Sequence, residues 1–299
     1  APPGGSSSWG AMSSGKIFLG KVEPVACLAE FNAMTLFVIF GCGSAMGIPA
    51  SAGVPAWTLM VGLVFGLTIT ALAYTHGHHS GGHINCAVTF GLVLTRQCGI
   101  LQGLANFLAQ MLGSIVGAVV LCLIFPSDLD RTGGLGSNGV GSGWSIVNAL
   151  TGEIMGTYLL MTVVLQTACC DRSIESRAQA ALAIGFAVFV AHILLIPIDG
   201  CSINPTRSFG PALVAAIRYD TAKSPFEDMW IFWIGPLLGA SLAAGHFRLM
   251  ERVHALTDTR VEELTESSWK DDMEANPRRT EEVLRQEADQ RRPEDNELR

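Results

Sequence analysis

Charge is what this sequence has least of. Only 15% of its 299 residues are Asp, Glu, Lys or Arg, 49% are apolar, and mean hydropathy is +0.38. That balance excludes a disordered chain and an ordinary soluble domain. The scarcity is uneven. Residues 1–250 hold 10 Lys/Arg and 11 Asp/Glu, net −1, whereas residues 251–299 hold 9 and 15, net −6. No basic patch is available for a nucleic acid. None of the eight cysteines has the C-x-x-C spacing of a zinc site, and the adjacent Cys169 and Cys170 suit neither a bridge nor a metal. Most of these thiols read as apolar packing groups, and nothing in the pattern calls for a cofactor or a metal. No loop carries an N-x-[ST] acceptor, and residues 1–15, rich in Gly, Ser and Pro, lack the apolar stretch of a signal peptide. Residues 1–20 are expected to be disordered.

What the chain does have is long apolar runs. Six are long enough to cross a bilayer, at roughly 25–47, 56–75, 101–124, 146–168, 178–198 and 229–250. Two shorter helix-prone pieces, 85–95 and 204–216, follow a motif that occurs twice. His83-Ile84-Asn85-Cys86-Ala87-Val88-Thr89-Phe90-Gly91 and Ser202-Ile203-Asn204-Pro205-Thr206-Arg207-Ser208-Phe209-Gly210 both read x-I-N-x-x-x-[TS]-F-G, 119 residues apart (204 − 85). At ~1.5 Å per residue such pieces reach about halfway across a membrane, so they are expected to be re-entrant half-helices. The halves also match upstream, where Glu30 opens the first span and Glu153 the fourth. Each half reads span, span, half-helix, span. An odd number of spans per half requires the halves to be inverted.

The expected fold is thus an all-α membrane protein: six transmembrane helices plus two re-entrant half-helices in an inverted repeat. Residues 21–250 form the channel domain, with repeat one at about 21–125 and repeat two at about 146–250; residues 251–299 form an acidic cytoplasmic tail. The Lys/Arg bias (Lys16, Lys21, Arg96, Arg172, Arg177, Arg248 and Arg252 on one side) puts both termini in the cytoplasm and the Gly-rich 127–145 loop outside.

The site follows from the repeat. Asn85 and Asn204 stand where helix N-caps stand, so each side-chain oxygen accepts an orphan N–H and each NH2 is left to face a lumen. Two positive helix ends and two amide donors bind water through its oxygen and repel cations. Charge inside a membrane is costly, and three such residues stand out: Glu30, Glu153 and Arg207. The repeat-related pair Glu30 and Glu153 are expected to accept hydrogen bonds from the non-helical backbone before each half-helix. A proton relay is the less favoured role.

On these residues, with Ala29-Glu30-Phe31, Arg207-Ser208-Phe209-Gly210-Pro211 and Trp230-Ile231-Phe232-Trp233, residues 20–250 resemble the aquaporin (major intrinsic protein) family. The family's Asn-Pro-Ala signature is altered twice, to Asn85-Cys86-Ala87 and Asn204-Pro205-Thr206. Cys86 gives up the fixed φ that suits Pro to a first helical turn, and Thr206 is larger and more polar than Ala. The resemblance implies an aquaporin-like right-handed bundle and a selectivity filter at Phe65, His192, Cys201 and Arg207. That set, with Ser208, Ala212, Phe232 and Trp233, matches the water-selective subgroup. It also implies a ladder of pore carbonyls at Gly81, Gly82 and His83, and at Gly200, Cys201 and Ser202, whose glycines let the backbone run extended. Cys201, and less so Cys86, is a target for a thiol reagent.

His76, His78, His79 and His83 cluster in what reads as the loop before Asn85. Solvation is the plain reading, and a metal or pH site the sharper one. The tail is helix-prone at 258–266 and 280–292, with Thr265, Ser267, Ser268 and Thr280 as phosphorylation candidates for a kinase or a tail-binding regulatory protein. The leading function is a passive water channel, not an enzyme, working as a homotetramer in the lipid bilayer, most simply the plasma membrane. The alternatives are a pore for hydrogen peroxide, ammonia or, less readily, glycerol or urea; a closed-pore structural or adhesion relative; and a proton-coupled transporter.

Overall fold

The computed structural model describes residues 19–47, 56–220 and 223–275. Most of the expected disordered N-terminal segment, the 280–292 helix and Thr280 lie outside them. Among the described residues, eight α-helices run α1 Pro24–Gly47, α2 Ala56–Ser80, α3 Cys86–Leu94, α4 Ile100–Ile124, α5 Ile146–Val164, α6 Ala180–Asp199, α7 Pro205–Arg218 and α8 Ile231–Ala275. Among the described residues there is no strand. Short non-α helical stretches at Leu165–Cys169 and Asp171–Gln179 join α5 to α6.

Among the described residues, five helical stretches are long and apolar enough to cross a membrane: Pro24–Gly47, Ala56–Ser80, Ile100–Ile124, Ile146–Cys169 and Asp171–Asp199. The sixth expected span, 229–250, falls on the N-terminal part of α8. The helices are apolar all round, and Leu108, Leu112, Leu194 and Leu242 stay exposed on the outer faces. A soluble bundle would bury that stripe; a lipid-facing helix has no need to.

The chain divides into two units, one ending at Phe247 and one starting at Arg248. Within the first, α1 packs on α4 and α2, α5 on α6, α2 on α6 and α4 on α7. Two close approaches are repeat-related. A Cβ at Gly113 would strike the Phe31 carbonyl of α1, and one at Gly239 would strike the Ile154 carbonyl of α5. Without a hydrophobic drive in lipid, such backbone contact is what lets helices gain dispersion energy. Residues 248–275 form one continuous helix, longer than the expected 258–266; the side chains of Thr265, Ser267 and Ser268 are exposed on it.

The histidines depart from expectation. α2 continues to Ser80, so His76, His78 and His79 lie on its last turns, not in a loop. His76 is buried, its Nδ1 3.1 Å from the Leu72 carbonyl and its Nε2 3.1 Å from Asn32 Nδ2 of α1. Both ring nitrogens are satisfied by helix packing, which is the physical reason the helix outruns the apolar segment.

Candidate functional site

The two half-helices, α3 and α7, meet N-terminus to N-terminus. Asn85 Oδ1 accepts from the amides of Ala87 (2.8 Å) and Val88 (3.4 Å). Asn204 Oδ1 accepts from the Arg207 amide (3.2 Å) and from the Thr206 hydroxyl (2.6 Å). The side-chain NH2 groups are half engaged, not free as expected: Asn85 Nδ2 donates to the Ile203 carbonyl (2.7 Å), and Asn204 Nδ2 to the Ile84 carbonyl (2.8 Å). An amide nitrogen carries two hydrogens, so each Asn keeps one for another acceptor. The two altered positions touch here, with the Cys86 thiol in hydrogen-bonding reach of Thr206.

Ile84 and Ile203 sit in the left-handed region, with φ of 50° and 43°. That region is unfavourable for a β-branched residue and persists only where surroundings enforce it. The enforcing groups are the glutamates. Glu30 Oε1 accepts from the His83 amide (2.8 Å) and Oε2 from the Ile84 amide (2.7 Å). Glu153 Oε1 accepts from the Ser202 amide (2.7 Å) and Oε2 from the Ile203 amide (2.6 Å). Each carboxylate thereby holds two consecutive amides inward and sends the Ile carbonyl outward to the opposite Asn.

The expected pore carbonyls belong to these same loops. Their glycines are left-handed, not extended: φ is +86° at Gly81, +64° at Gly82 and +83° at Gly200. The chain has to reverse in the few residues between helix end and Glu-bound amide, and that turn needs positive φ. Among the described residues no protein donor reaches the carbonyls of Gly81, Gly82, His83, Gly200, Cys201 or Ser202. The His83 side chain points away, its Nδ1 3.0 Å from Thr89 Oγ1. Ser202 Oγ lies 2.6 Å from Ser208 Oγ.

Phe65, His192 and Arg207, distant in sequence, come together. The Phe65 and His192 rings stack with centroids 4.2 Å apart and 26° between planes. Arg207 Cζ lies 5.1 Å from the Phe65 centroid, and Phe37 meets Phe65 edge-on at 5.5 Å. His192 Nδ1 lies 2.8 Å from the Val188 carbonyl, so a neutral ring donates there and presents Nε2 as an acceptor. The exposures of Phe65, His192, Cys201 and Arg207 are 1%, 1%, 0% and 2%. All four are buried: the Phe65 and His192 rings cover one another, and Cys201 has no exposed surface.

Arg207 is aimed by a loop whose role the sequence did not announce. Its Nη1 donates to the Gly136 carbonyl (2.9 Å) and to Asn138 Oδ1 (2.8 Å). Ser208 Oγ also donates to Asn138 Oδ1 (2.7 Å). Asp130 in turn shapes that loop, accepting from the Thr132 amide (2.9 Å) and hydroxyl (2.7 Å), the Leu135 amide (2.8 Å) and the Tyr219 hydroxyl (2.9 Å). Burial pushes the Asp130 carboxyl up, but these hydrogen bonds outweigh it and hold the group below the usual carboxylate value. The Tyr219 phenol is pushed up to about 12, first by burial and then by Asp130. Asp199 was missed as well, because the apolar run ends one residue before it. It is buried behind the Glu153 loop, with Oδ1 accepting from the Cys201 amide (2.9 Å). Its signal was positional: Asp199 precedes Asn204 by five residues, as Ser80 precedes Asn85. Among the described residues no group of three or more His, Cys, Asp or Glu could hold a metal.

Comparison with known proteins agrees with this architecture. A family model described as Major intrinsic protein matches residues 22–247. Aquaporin-1 of Ovis aries is 40% identical over 241 residues, covering 78% of this chain and 85% of that one. Aquaporin PIP2-7 of Arabidopsis thaliana is 39% identical over 236 residues, covering 77% and 82%. The aquaglyceroporin from Plasmodium falciparum aligns with a TM-score of 0.66 at 19% identity, covering 75% of this chain and 95% of its own, a likeness of fold. A family model across the body, and relatives at 40% identity over most of it, make this chain a member of the major intrinsic protein family, an integral membrane channel of the aquaporin type.

Proposed function

We propose that the chain is a passive water channel, driven by osmotic gradients and excluding ions and protons, with no enzymatic step. The observation that carries the reading is the pair of helix N-termini meeting through Asn85 and Asn204, with Arg207 beside Phe65 and His192 on the outer side. The positive helix ends and the guanidinium oppose cations and hydronium. The carbonyls of Gly81, Gly82, His83, Gly200, Cys201 and Ser202 offer water acceptors in sequence. His192 and Arg207 argue against glycerol and urea as the permeant molecule, whereas hydrogen peroxide is close to water in size. The relatives named aquaporin support the same reading. Residues 21–250 are the channel and 251–299 a cytoplasmic regulatory tail, in a homotetramer of the plasma membrane with both termini inside.

The stacked Phe65 and His192 rings favour a second reading, a pore that must open before it conducts. Stopped-flow light scattering of proteoliposomes under osmotic challenge tests both. The expected result is fast shrinkage with a low activation energy, blocked by a mercurial in the wild type and spared in Cys201→Ser. Because Cys201 is sealed, block should develop slowly and quicken when Phe65→Ala removes the ring. Shrinkage no faster than in empty liposomes, in wild type and Phe65→Ala alike, would remove the water-channel reading.

A further inference from the structure

The two glutamates that hold the half-helix loops are not equally supported. Glu30 receives two further donors: the Ser80 hydroxyl to Oε1 (2.6 Å) and the Gln110 amide to Oε2 (2.7 Å). Glu153 has, in the place of Ser80, the carboxyl of Asp199, within hydrogen-bonding reach. Asp199 Oδ1 is bound to the Cys201 amide, while Oδ2 is buried and no donor reaches it. Asp199 is 2% exposed and Glu153 0%. Two carboxyls that hold neighbouring amides of one loop, both shut off from water, do not readily both ionise, since a second charge there is repelled by the first in a low-dielectric interior. Arg207 is the nearest cation, and its charge reaches both groups. Yet its Nη1 is taken by Gly136 and Asn138, and among the described residues neither carboxyl joins a salt bridge.

We propose that Asp199 and Glu153 share one proton, and that the protonated pair positions the Gly200–Asn204 loop beside the filter. The proton sits between Asp199 Oδ2 and the Glu153 carboxylate, making the hydrogen bond that the Ser80 hydroxyl makes to Glu30. Together the two residues then hold three consecutive amides, those of Cys201, Ser202 and Ile203. The other groups facing the pair are few. α7 offers Arg207, the loop offers the Cys201 thiol, α8 presents Gly235 to Glu153, and the outer loop presents the neutral Asn138, whose Nδ2 donates to the Asp199 carbonyl (3.3 Å). Arg207 is thus the cation near the pair, and among the described residues it makes no salt bridge to either carboxyl. When alkali removes it, two charges face each other behind the loop, and the loop should move off its anchors. Asp199 is a positioning residue in this account, since it touches the loop and not the permeant molecule.

The consequence for conduction rests on the water-channel reading, but the proton itself does not, so the test reads both. Infrared difference spectroscopy of the full chain in liposomes, wild type against Asp199→Asn, isolates any protonated carboxyl C=O stretch belonging to the pair. The expected result is a band at neutral pH that shifts in D2O and is absent from Asp199→Asn, whose NH2 supplies the donor permanently. Permeability of the wild type should fall several-fold with rising pH, while Asp199→Asn keeps neutral-pH permeability and loses the pH dependence. Asp199→Ser, copying Ser80, should behave like Asn if the Asn variant assembles poorly. No band, or a band unchanged by Asp199→Asn, overturns the proposal whatever water does. A band with no water permeability in any variant leaves the proton site standing and removes the water-channel reading instead.

Discussion

Asn85 and Asn204 each cap their own half-helix and hold the opposite one: Asn85 Nδ2 donates to Ile203 and Asn204 Nδ2 to Ile84, at 2.7 and 2.8 Å. One side chain therefore closes three obligations, since its oxygen satisfies orphan amides and its nitrogen a carbonyl that the left-handed Ile turns outward. Removing either Asn breaks both repeats. Asn85→Ala should lose about 1 kcal/mol of capping and leave the buried Ile203 carbonyl unpaired, at about 1–3 kcal/mol more. The expected outcome is lower thermal stability in detergent and a permeability drop of tenfold or more. An unchanged permeability would show that the crossed bonds do not hold the pore.

Thr206 is the departure from the family pattern with a visible consequence. Its hydroxyl takes the short bond to Asn204 Oδ1, at 2.6 Å, in place of its own amide, while the Arg207 amide stays at 3.2 Å. In the first half-helix, where Ala87 stands at that position, the amides take the oxygen alone. Thr206→Ala should restore the amide cap and leave permeability at or above wild type. Cys86→Pro alone should be worse than in combination, because Cys86 and Thr206 touch. A double-mutant cycle on unfolding, with a coupling of at least about 0.5 kcal/mol, is the expected signature. Simple additivity would mean that the two changes are independent.

Much of this fold was legible because membrane physics writes it in long strokes. Apolar runs of span length locate α1, α2, α4, α5 and α6, and the Asn repeat locates α3 and α7. Glu30 and Glu153 were readable as braces because a charge in an apolar run demands a partner, and backbone amides were the nearest unpaired donors. The role of the 127–145 loop was not readable. Asn138 and Gly136 bind Arg207 through tertiary placement of a Gly-rich segment with no periodicity. Asp199 fell one residue past an apolar boundary, and its repeat partner Ser80 lies beyond the end of the second apolar run as well. The left-handed glycines were misread as extended because composition gives φ freedom but not its sign. The Phe65–His192 stack depends on side-chain torsions that no local pattern encodes.

Asp130 gives the 127–145 loop a pH limit. Its carboxyl is held below the usual value, so the charged form is the one that the folded loop favours. Such a group stabilises fully above its unfolded value, about 3.9, and the contribution fades as pH falls through the lower folded value. Between pH 5 and 8 the loop should be indifferent to pH through this group. Below about pH 4 the Thr132 and Leu135 anchors weaken, and with them the Gly136 and Asn138 grip on Arg207. Thermal melting against pH should show this acid loss in the wild type and less of it in Asp130→Asn, which should melt lower near neutrality. Parallel melting curves for the two across the whole range would count against the role.

Gly41 sets how far back the Phe65 ring can stand. A Cβ there would run into Cε1 and Cδ1 of Phe65, with Cζ 3.0 Å away. Phe65 already stacks on His192 and meets Phe37 edge-on, so the ring has no free side to retreat to. Gly41→Ala should force it further over His192 and Arg207. Overpacking of this kind costs about 1–3 kcal/mol, and here the strain falls on the Phe65–His192 stack. The expected outcome is a several-fold loss of osmotic permeability with correct membrane insertion. Phe65→Leu in the same chain removes the clash, and should restore flux while admitting larger solutes such as urea. Wild-type flux in Gly41→Ala would mean that the ring yields freely and that Phe65 does not set the width of the pore.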